Sequence, residues 1–358
     1  MLDSLHKTLI IRFSSVGDIV LSSLLVRTLR HRFPQIHIDF LLKSEYADLV
    51  RYNPHVNRVI EFPAGGSFDD LFRLRRAIRS ERYDLIVDIH NSIRSRLLSP
   101  GAGRTVRVDK RKVARWLLVN LKRDFYPSCG GAPGVAERYL ETVQPFGVLD
   151  DGGGLEVHVP PEIQERVGHI LQGQGILPGS QAIGICPSAK HANKMWLKER
   201  FAETAAALAR RHKTPVLLFG SAEEAPRCGE IAAMTEAASP AVRVVNLAGS
   251  LSLLETAAAM DHCGVVVTND SGLMHIAAAR KRRLVALFGP TVRQFGFFPF
   301  GTTSTVVEHP ALSCRPCTHI GLPDCPRGHF RCMRELESKT VIEAATKLLE
   351  PDYRSSQK

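Results

Sequence analysis

The chain has 358 residues, of which 44% are hydrophobic and 23% are charged, an ordinary composition for a soluble globular protein. Its length suits two domains rather than one core. No apolar run approaches the eighteen or more residues of a membrane-spanning helix, and the N-terminus leads almost directly into a strand-like run, which leaves no room for a signal peptide. We therefore expect a cytoplasmic protein.

The net charge of +11 is unevenly distributed along the chain. Residues 1–150 contain 24 Lys and Arg against 16 Asp and Glu, whereas the remainder contains 23 against 20. This excess predicts an anionic partner for the first half. Nucleic acid is one candidate, although no RNA- or DNA-binding motif is present. An anionic membrane surface or a phosphorylated glycolipid fits the charge equally well.

The first predicted element is a strand that leads into a helix, between Leu9 and Arg30. Strand formers at Leu9–Ile11 are joined to an amphipathic helix through the polar turn SSVGD. This is the opening half of a βαβ unit, whose turn lies at the carboxyl end of the strand, where ligands bind in open parallel sheets. Asp18 in the turn is therefore either a helix cap or a catalytic carboxylate, and this stretch alone favours neither.

Strand and helix patterns then alternate through the first half, which predicts a parallel sheet. Strands are expected at His37–Ser44, Val56–Pro63 and Tyr83–His90, and a helix with a basic face at Phe68–Arg79. The basic, amphipathic segment 101–119 has the composition of an interfacial membrane helix, although a core-facing helix with a solvated basic side is the commoner outcome.

A Gly- and Pro-rich stretch around Asp150 predicts a connection between domains, and a second alternating series follows it. This series runs from a strand at Ala182–Ser188 to a final strand at Arg283–Thr291. We expect one domain at 1–158, a second at 159–335, and a C-terminal helix and tail at 336–358. Two such domains would present their carboxyl-end loops across one cleft, with one substrate bound in each.

The stretch VVVTNDSGLMHIAAA combines an apolar strand, a polar turn and a helix. The backbone N–H groups at such a helix start form an anion site that suits a diphosphate. Ser271 and His275 could add donors, and Asp270 could order the turn or bind ribose. The alternative is that Asp270 and Ser271 cap the helix and that His275 lies on its surface.

A loop after the first strand of this domain, PSAKHANKMW, contains Ser188, Lys190 and Lys194. A lysine over a diphosphate neutralises the charge on a departing nucleotide. A solvated lysine is the simpler interpretation, and the residues alone favour it.

Taken in order, these motifs resemble those of bacterial lipopolysaccharide heptosyltransferases, which belong to glycosyltransferase family nine. The likeness covers residues 8–345 and is carried by RFSSVGDIVLSSLLVRTLR, DIHNSIRS, NKMW and TNDSGLMHIAAARKRRLVALFGPT. It implies an α/β protein with the GT-B fold, in which two Rossmann-like, doubly wound domains face each other across a cleft. It also implies a nucleotide-sugar donor on the second domain and an anionic, lipid-linked saccharide acceptor on the first, in agreement with the charge asymmetry.

The resemblance assigns a role to each matching residue. Asp18 matches the family's proposed base, which would take the proton from the acceptor hydroxyl as that oxygen attacks the anomeric carbon with inversion. Arg94 stands where the family has a basic residue facing the acceptor's acidic groups. The residues assigned to the acceptor side are Ser14, Ser15, Gly17, His90, Asn91 and Arg94.

On the donor side, Lys194 matches the lysine on the diphosphate, and Glu224 or its neighbour Glu223 is expected to reach the ribose. No divalent metal is implied, because the helix dipole and Lys194 replace it. The residues assigned to the donor are Ser188, Lys194, Glu224, Asp270, Ser271, Gly272 and His275.

Four cysteines cluster near the C-terminus, at Cys314, Cys317, Cys325 and Cys332. A CxxC pair followed by two more cysteines can hold a structural zinc, but the second pair is separated by six residues instead of two. Reduced cysteines that pack a loop are the default in a cytosolic protein.

The sequence therefore predicts an inverting, metal-independent glycosyltransferase, with ADP-heptose as the expected donor and the lipopolysaccharide core or a related glycolipid as acceptor. It would work in the cytoplasm, in peripheral contact with the inner membrane. One alternative is a nucleotide-sugar epimerase of the same architecture, which would need no acceptor. Another is a non-enzymatic adaptor for nucleic acid or membrane, although nucleic acid is not expected as a partner.

Overall fold

The computed structural model describes residues 5–99, 101, 103–126 and 133–350. The chain divides into two units, the first formed by Met1–Lys112 and Pro133–His158 and the second by Val113–Ala132 and Val159–Lys358. Each unit is built on a parallel sheet, as the alternating pattern predicted. Among the described residues, no helix has the length and apolar character needed to cross a membrane.

The first unit contains a five-stranded sheet within its described residues, in the order β3-β2-β1-β4-β5. Its central strands are continuous apolar runs because helices cover both faces, and Leu9, Ile10 and Ile11 of β1 are fully buried. Up to residue 158 the helices and strands are β1 Lys7–Ile11, α1 Val16–Leu21, α2 Ser23–Arg32, β2 His37–Lys43, α3 Asp48–Arg51, β3 Arg58–Phe62, α4 Phe68–Ser80, β4 Leu85–Asp88, α5 Ile93–Leu98, β5 Arg104–Arg107, α6 Lys112–Leu121 and α7 Val135–Glu141.

The second unit contains a six-stranded sheet within its described residues, in the order β11-β10-β9-β6-β7-β8. Its core includes Trp196 and Phe201, whose rings meet edge to face. The elements after residue 158 are α8 Pro161–Gly173, β6 Ala182–Cys186, α9 Lys198–His212, β7 Val216–Leu218, α10 Ala225–Ala238, β8 Val244–Asn246, α11 Leu253–Met260, β9 Cys263–Asn269, α12 Gly272–Ala279, β10 Arg283–Phe288, β11 Ser304–Glu308, α13 Arg331–Arg334 and α14 Ser338–Leu349.

The structure corrects two element predictions. Segment 101–119 begins with strand β5 before helix α6, and the strand expected to be final is followed by β11. Both missed strands form sheet edges, where the side chains are half-exposed and no continuous apolar run marks them. Residues 113–126 belong to the second unit, where Leu118 and Tyr126 pack against Phe295.

Arg27 of α2 binds residues 151–156, in the last segment of the first unit, through ion pairs and a hydrogen bond. Its guanidinium, nearly buried, pairs with Asp151 at 2.7 Å and Glu156 at 3.0 Å and donates to the Gly154 carbonyl at 2.8 Å. A Cβ at Gly153 would lie 2.6 Å from Arg27 Nη2, so a larger residue there would displace the guanidinium from its ion pairs. Burial opposes ionisation of Glu156, but His158 and Arg27 outweigh it and lower the pKa of Glu156 to about 2.

Replacing Arg27 with Ala is expected to lower the free energy of unfolding by on the order of 3 kcal/mol near neutral pH, because two carboxylates lose their shared cation. A carboxylate whose folded-state pKa is depressed contributes stability above its ordinary pKa, and this contribution is lost as the pH falls toward the folded-state value, here about 2. The difference in Tm between wild type and Arg27→Ala should therefore narrow in acid.

Thermal unfolding of both proteins from neutral to acidic pH measures this difference. Arg211→Ala is the control, because Arg211 is 59% exposed in its ion pair with Glu350 and should change Tm little. A difference in Tm that stays constant with pH would contradict the assignment.

Candidate functional site

In the first unit, Asp18 lies in the first turn of α1, just beyond the carboxyl end of β1. Its Oδ2 accepts hydrogen bonds from the Ser15 backbone N–H at 3.3 Å and from the Ser15 hydroxyl at 3.0 Å, so Asp18 closes a capping box. The same oxygen pairs with Arg12 Nη2 at 2.6 Å, and Tyr139 donates its hydroxyl to Oδ1 at 3.0 Å. The carboxylate is thus both a cap and the centre of a polar cluster.

Arg12 decides the charge of this cluster. It is buried, donates to the Ile89 carbonyl at 2.8 Å and lies over the Tyr139 ring. Burial favours the neutral acid of Asp18, but the Arg12 guanidinium and the Ser15 hydrogen bonds outweigh it and hold the pKa of Asp18 below its usual value. Asp18 is therefore an ionised carboxylate, and its side chain is 16% exposed.

His90 lies at the same edge of the sheet, beyond the end of β4, with its ring edge to face against Phe13 at 5.3 Å. Burial, helped by the positive charges of Arg12 and Lys110, lowers the pKa of His90 to about 3. The ring is therefore neutral near pH 7. The neutral ring can take part in a hydrogen bond, but it carries no charge that would attract an anionic group.

Asn91 and Arg94 differ in what their side chains can reach. Asn91 donates its amide to the Val108 carbonyl and accepts a hydrogen bond from Arg96, both at 2.8 Å, so its side chain holds the loop together. Arg94 is exposed on the first turn of α5. Of the other predicted acceptor residues, Ser15 contacts Asp18 and Gly17 is buried in α1. Ser14, which precedes Ser15, is half-buried.

In the second unit, the buried Trp196 anchors the loop that carries Lys194. Its backbone N–H donates to Asn269 Oδ1 at 3.0 Å, and its indole N–H donates to the Leu336 carbonyl at 3.1 Å. Lys194, in the short 3-10 helix Ala192–Lys194, pairs through Nζ with Asp270 Oδ2 at 2.6 Å. The predicted lysine and the predicted aspartate are therefore in direct contact.

The Asp270 carboxylate has a second partner besides Lys194. Asp270 Oδ2 also accepts a hydrogen bond from Thr291 at 2.8 Å, and the aspartate side chain is 6% exposed. Its charge is compensated within the protein. Lys194 Nζ keeps N–H donors beyond the one that binds Asp270, and the N-terminus of α12 contributes positive potential.

Several buried polar atoms around this region have no hydrogen-bond partner among the described residues. Leaving such an atom unpaired costs about 1–3 kcal/mol, so a cluster of them indicates a place for a polar ligand. Ser188 follows β6 and Ser271 follows the neighbouring strand β9, and the Ser271 hydroxyl does not cap α12. The unpaired atoms are Ser188 Oγ, Asn193 Nδ2, Asn269 Nδ2 and Ser271 Oγ.

The other predicted donor residues are placed as follows. Gly272 is the first residue of α12. His275 is 2% exposed, with its ring near Phe297, so it is not on the helix surface. Glu224 accepts a hydrogen bond from the Ser221 backbone N–H at 2.8 Å and caps the short helix Ala222–Glu224 after β7.

The cysteine-rich segment gives no geometric support to the zinc alternative. Among the described residues, no group of three or more His, Cys, Asp or Glu side chains is placed to hold a metal ion, and all four cysteines of the cluster are free thiols. The segment instead contacts the loop that carries Lys194. Leu322 donates its backbone N–H to Asn193 Oδ1 at 2.9 Å and accepts from the Asn193 backbone N–H at 3.3 Å.

Three residues of these clusters were missed from sequence. Arg12 belongs to the motif RFSSVGD, from which only the serines, the glycine and the aspartate were assigned roles. Thr291 is the last residue of TNDSGLMHIAAARKRRLVALFGPT and was assigned none. Tyr139 is 121 residues from Asp18 along the chain, and no local pattern connects them.

Comparison with known proteins gives a family match. A model described as glycosyltransferase family 9 (heptosyltransferase) matches residues 71–323, a range that does not include Asp18. The chain is 33% identical to lipooligosaccharide heptosyltransferase 2 of Haemophilus influenzae, over 95% of this chain and 99% of that protein. It is 31% identical to lipopolysaccharide heptosyltransferase 2 of Salmonella typhimurium, over 96% and 98%.

The predicted GT-B fold is confirmed by a solved structure. The ADP-heptose LPS heptosyltransferase II of E. coli is similar with a TM-score of 0.72 and 27% identity, over 96% of this chain and 98% of that one. Both units have the parallel α/β sheets that this fold requires. The comparisons do not favour the epimerase or adaptor alternatives.

Replacing Lys194 with Met is expected to lower the free energy of unfolding by on the order of 3 kcal/mol, because it leaves the buried Asp270 carboxylate without its cation. Adding Asp270→Asn removes the uncompensated charge and should restore part of the loss. Chemical unfolding of the single and double variants measures both effects.

Lys198→Met is the matched control, because Lys198 pairs with Glu230 on the surface, where a salt bridge contributes little. If the single variant and the double variant lose the same free energy of unfolding, the Asp270 carboxylate does not need the Lys194 charge for stability.

Proposed function

Because the chain belongs to glycosyltransferase family 9 and is a glycosyltransferase, we propose that it transfers heptose from ADP-heptose to an anionic, lipid-linked saccharide of the lipopolysaccharide core. The observation that carries the proposal is the pairing of Lys194 with Asp270 among unpaired buried polar groups at the start of α12. A lipid-linked acceptor would bring the reaction to the cytoplasmic face of the inner membrane.

The donor assignment is supported by the chemistry of the second unit. A nucleoside diphosphate carries its charge on phosphate oxygens, which accept hydrogen bonds from backbone N–H groups and from lysine. The N-terminus of α12, the Ser271 hydroxyl and Lys194 supply such donors. As the bond between the anomeric carbon and the phosphate oxygen breaks, these groups stabilise the negative charge that develops on the departing ADP.

The acceptor assignment is supported by the polar cluster of the first unit. Asp18 is ionised and can take the proton of an acceptor hydroxyl, whose oxygen then bonds to the anomeric carbon from the side opposite the departing phosphate. Arg12 keeps the carboxylate oriented and charged. Arg94, exposed at the start of α5, is available to an acidic group of the acceptor.

Asp18→Asn is expected to lower kcat by about 10²- to 10⁴-fold, because the amide cannot accept the proton, while ADP binding is unchanged. Transfer to a soluble, delipidated acceptor and calorimetric titration with ADP measure the two effects. Asp70→Asn is the matched control, since Asp70 closes an equivalent capping box with Ser67 on α4. Full turnover in the Asp18 variant would remove the proposed base.

The pH profile provides a separate test. The pKa of Asp18 lies below its usual value and the pKa of His90 is about 3, so in the free enzyme neither group changes charge between about pH 5 and pH 8. Titration of Asp18 or His90 should therefore cause no fall in kcat/KM as the pH is lowered from about 8 to about 5, either in wild type or in His90→Gln. An inflection near pH 6 that disappears in the His90 variant would contradict these charge states.

A further inference from the structure

Helix α4 has two large apolar side chains on its outer face. Phe68 is 66% exposed and Phe72, one turn later, is 55% exposed. The inward face of the helix is already satisfied, because Leu71 and Ile78 pack into the core of the first sheet. The two phenylalanines lie outside this core and present an apolar ridge to solvent.

Helix α5 extends this apolar surface. Leu98 of α5 packs in the same core cluster as Leu71 of α4, so both helices lie on one face of the sheet, and they contact each other. On its outer side α5 presents Ile93, which is 81% exposed. We call Phe68, Phe72 and Ile93, with the exposed arginines of α4 and α5, the α4–α5 surface.

The charge of the α4–α5 surface is strongly positive. Its acidic residues are Asp69 and Asp70, and Asp70 is held by Ser67 and by an ion pair with Arg73. The exposed arginines around the apolar side chains are Arg73, Arg76, Arg79, Arg94 and Arg96. Apolar side chains ringed by arginine are typical of surfaces that bind the headgroup region of anionic membranes.

The surface begins at the same edge of the sheet as Asp18. A Cβ on Gly66, just before α4, would lie 2.5 Å from the Phe62 ring, so the chain crosses that ring as it enters the helix. The Phe62 ring meets the Phe13 ring edge to face, with 5.4 Å between their centroids. The Phe13 ring meets the His90 ring in the same way, with 5.3 Å between centroids. The first turns of both helices therefore border the candidate acceptor site.

We propose that the α4–α5 surface docks the first unit on an anionic phospholipid bilayer, with Phe68, Phe72 and Ile93 inserted among the headgroups and the arginines of α4 bound to lipid phosphates. The proposal rests on the proposed function in one respect: a lipid-linked acceptor lies in a membrane, so the enzyme must bind that membrane to reach it. Three apolar tips bury too little area for a stable protein interface but are sufficient for interfacial insertion.

Co-sedimentation of the full chain with vesicles of phosphatidylcholine, with and without phosphatidylglycerol, tests the proposal. Wild type should bind the anionic vesicles and lose binding in high salt. Phe68→Ser/Phe72→Ser should weaken binding about a hundredfold or more, since burial of each phenylalanine contributes roughly 1.5–3 kcal/mol. Arg73→Gln/Arg76→Gln should weaken it about fivefold for each arginine, from roughly 1 kcal/mol each.

Two control variants separate this surface from other exposed apolar groups. Leu177→Ser changes a side chain that is 71% exposed in the second unit, and Trp116→Ser/Phe125→Ser changes two on and just beyond α6. Both controls should bind vesicles as wild type does. Loss of binding in the α6 variant with full binding in the α4 variants would overturn the proposal, as would wild-type binding that is equal on neutral and anionic vesicles.

Activity assays distinguish failure of this proposal from failure of the proposed function. Phe68→Ser/Phe72→Ser should keep wild-type ADP binding and wild-type transfer to a soluble, delipidated acceptor, and should lose transfer only to acceptor embedded in anionic vesicles. Equal loss on the soluble and the embedded acceptor would overturn the docking role and leave the transferase assignment intact. Absence of transfer in wild type with either acceptor, despite vesicle binding, would instead count against the proposed function.

Discussion

Parallel hydrogen bonding between neighbouring strands is the constraint on which both units depend. Because every strand of each described sheet runs in the same direction, the loops that follow them emerge at one edge. In the first unit this edge collects Arg12, Asp18 and His90, and in the second it collects Lys194 and Asp270. Residues far apart in sequence become neighbours without any special local geometry.

The two edges use the same element, a carboxylate paired with a cation, to different chemical effect. At Asp18 the side chain is 16% exposed, and Arg12 keeps it ionised. At Asp270 the carboxylate is almost fully buried, Lys194 compensates its charge, and Thr291 donates a hydrogen bond to it. In the first cluster the paired carboxylate stays ionised, whereas in the second the paired lysine keeps N–H donors beyond the one that binds Asp270.

The sequence predicted those parts of the structure whose physical signal is local. Fully buried strands appear as continuous apolar runs, and Asp18, Lys194 and Asp270 stand in short motifs at strand ends. Strands β5 and β11 were missed because an edge strand is half-exposed and has no such run.

The partners of the site residues were less predictable, because they depend on tertiary contacts. Tyr139 reaches Asp18 from α7, and Thr291 reaches Asp270 from the end of another strand. Asn91 was assigned to the acceptor from its motif, yet both ends of its side-chain amide are engaged within the loop. A motif indicates which residues meet at a site but not which of their atoms remain free.

The contact between Asn193 and Leu322 has a consequence for which substitutions this chain can accept. Leu322 takes part only through its backbone N–H and carbonyl, whereas Asn193 contributes its side chain. Substitution at position 322 therefore leaves the contact intact so long as the backbone keeps its path and the new residue is not proline. Replacing Asn193 with a residue that has no side-chain acceptor would instead remove one of the two hydrogen bonds between these segments.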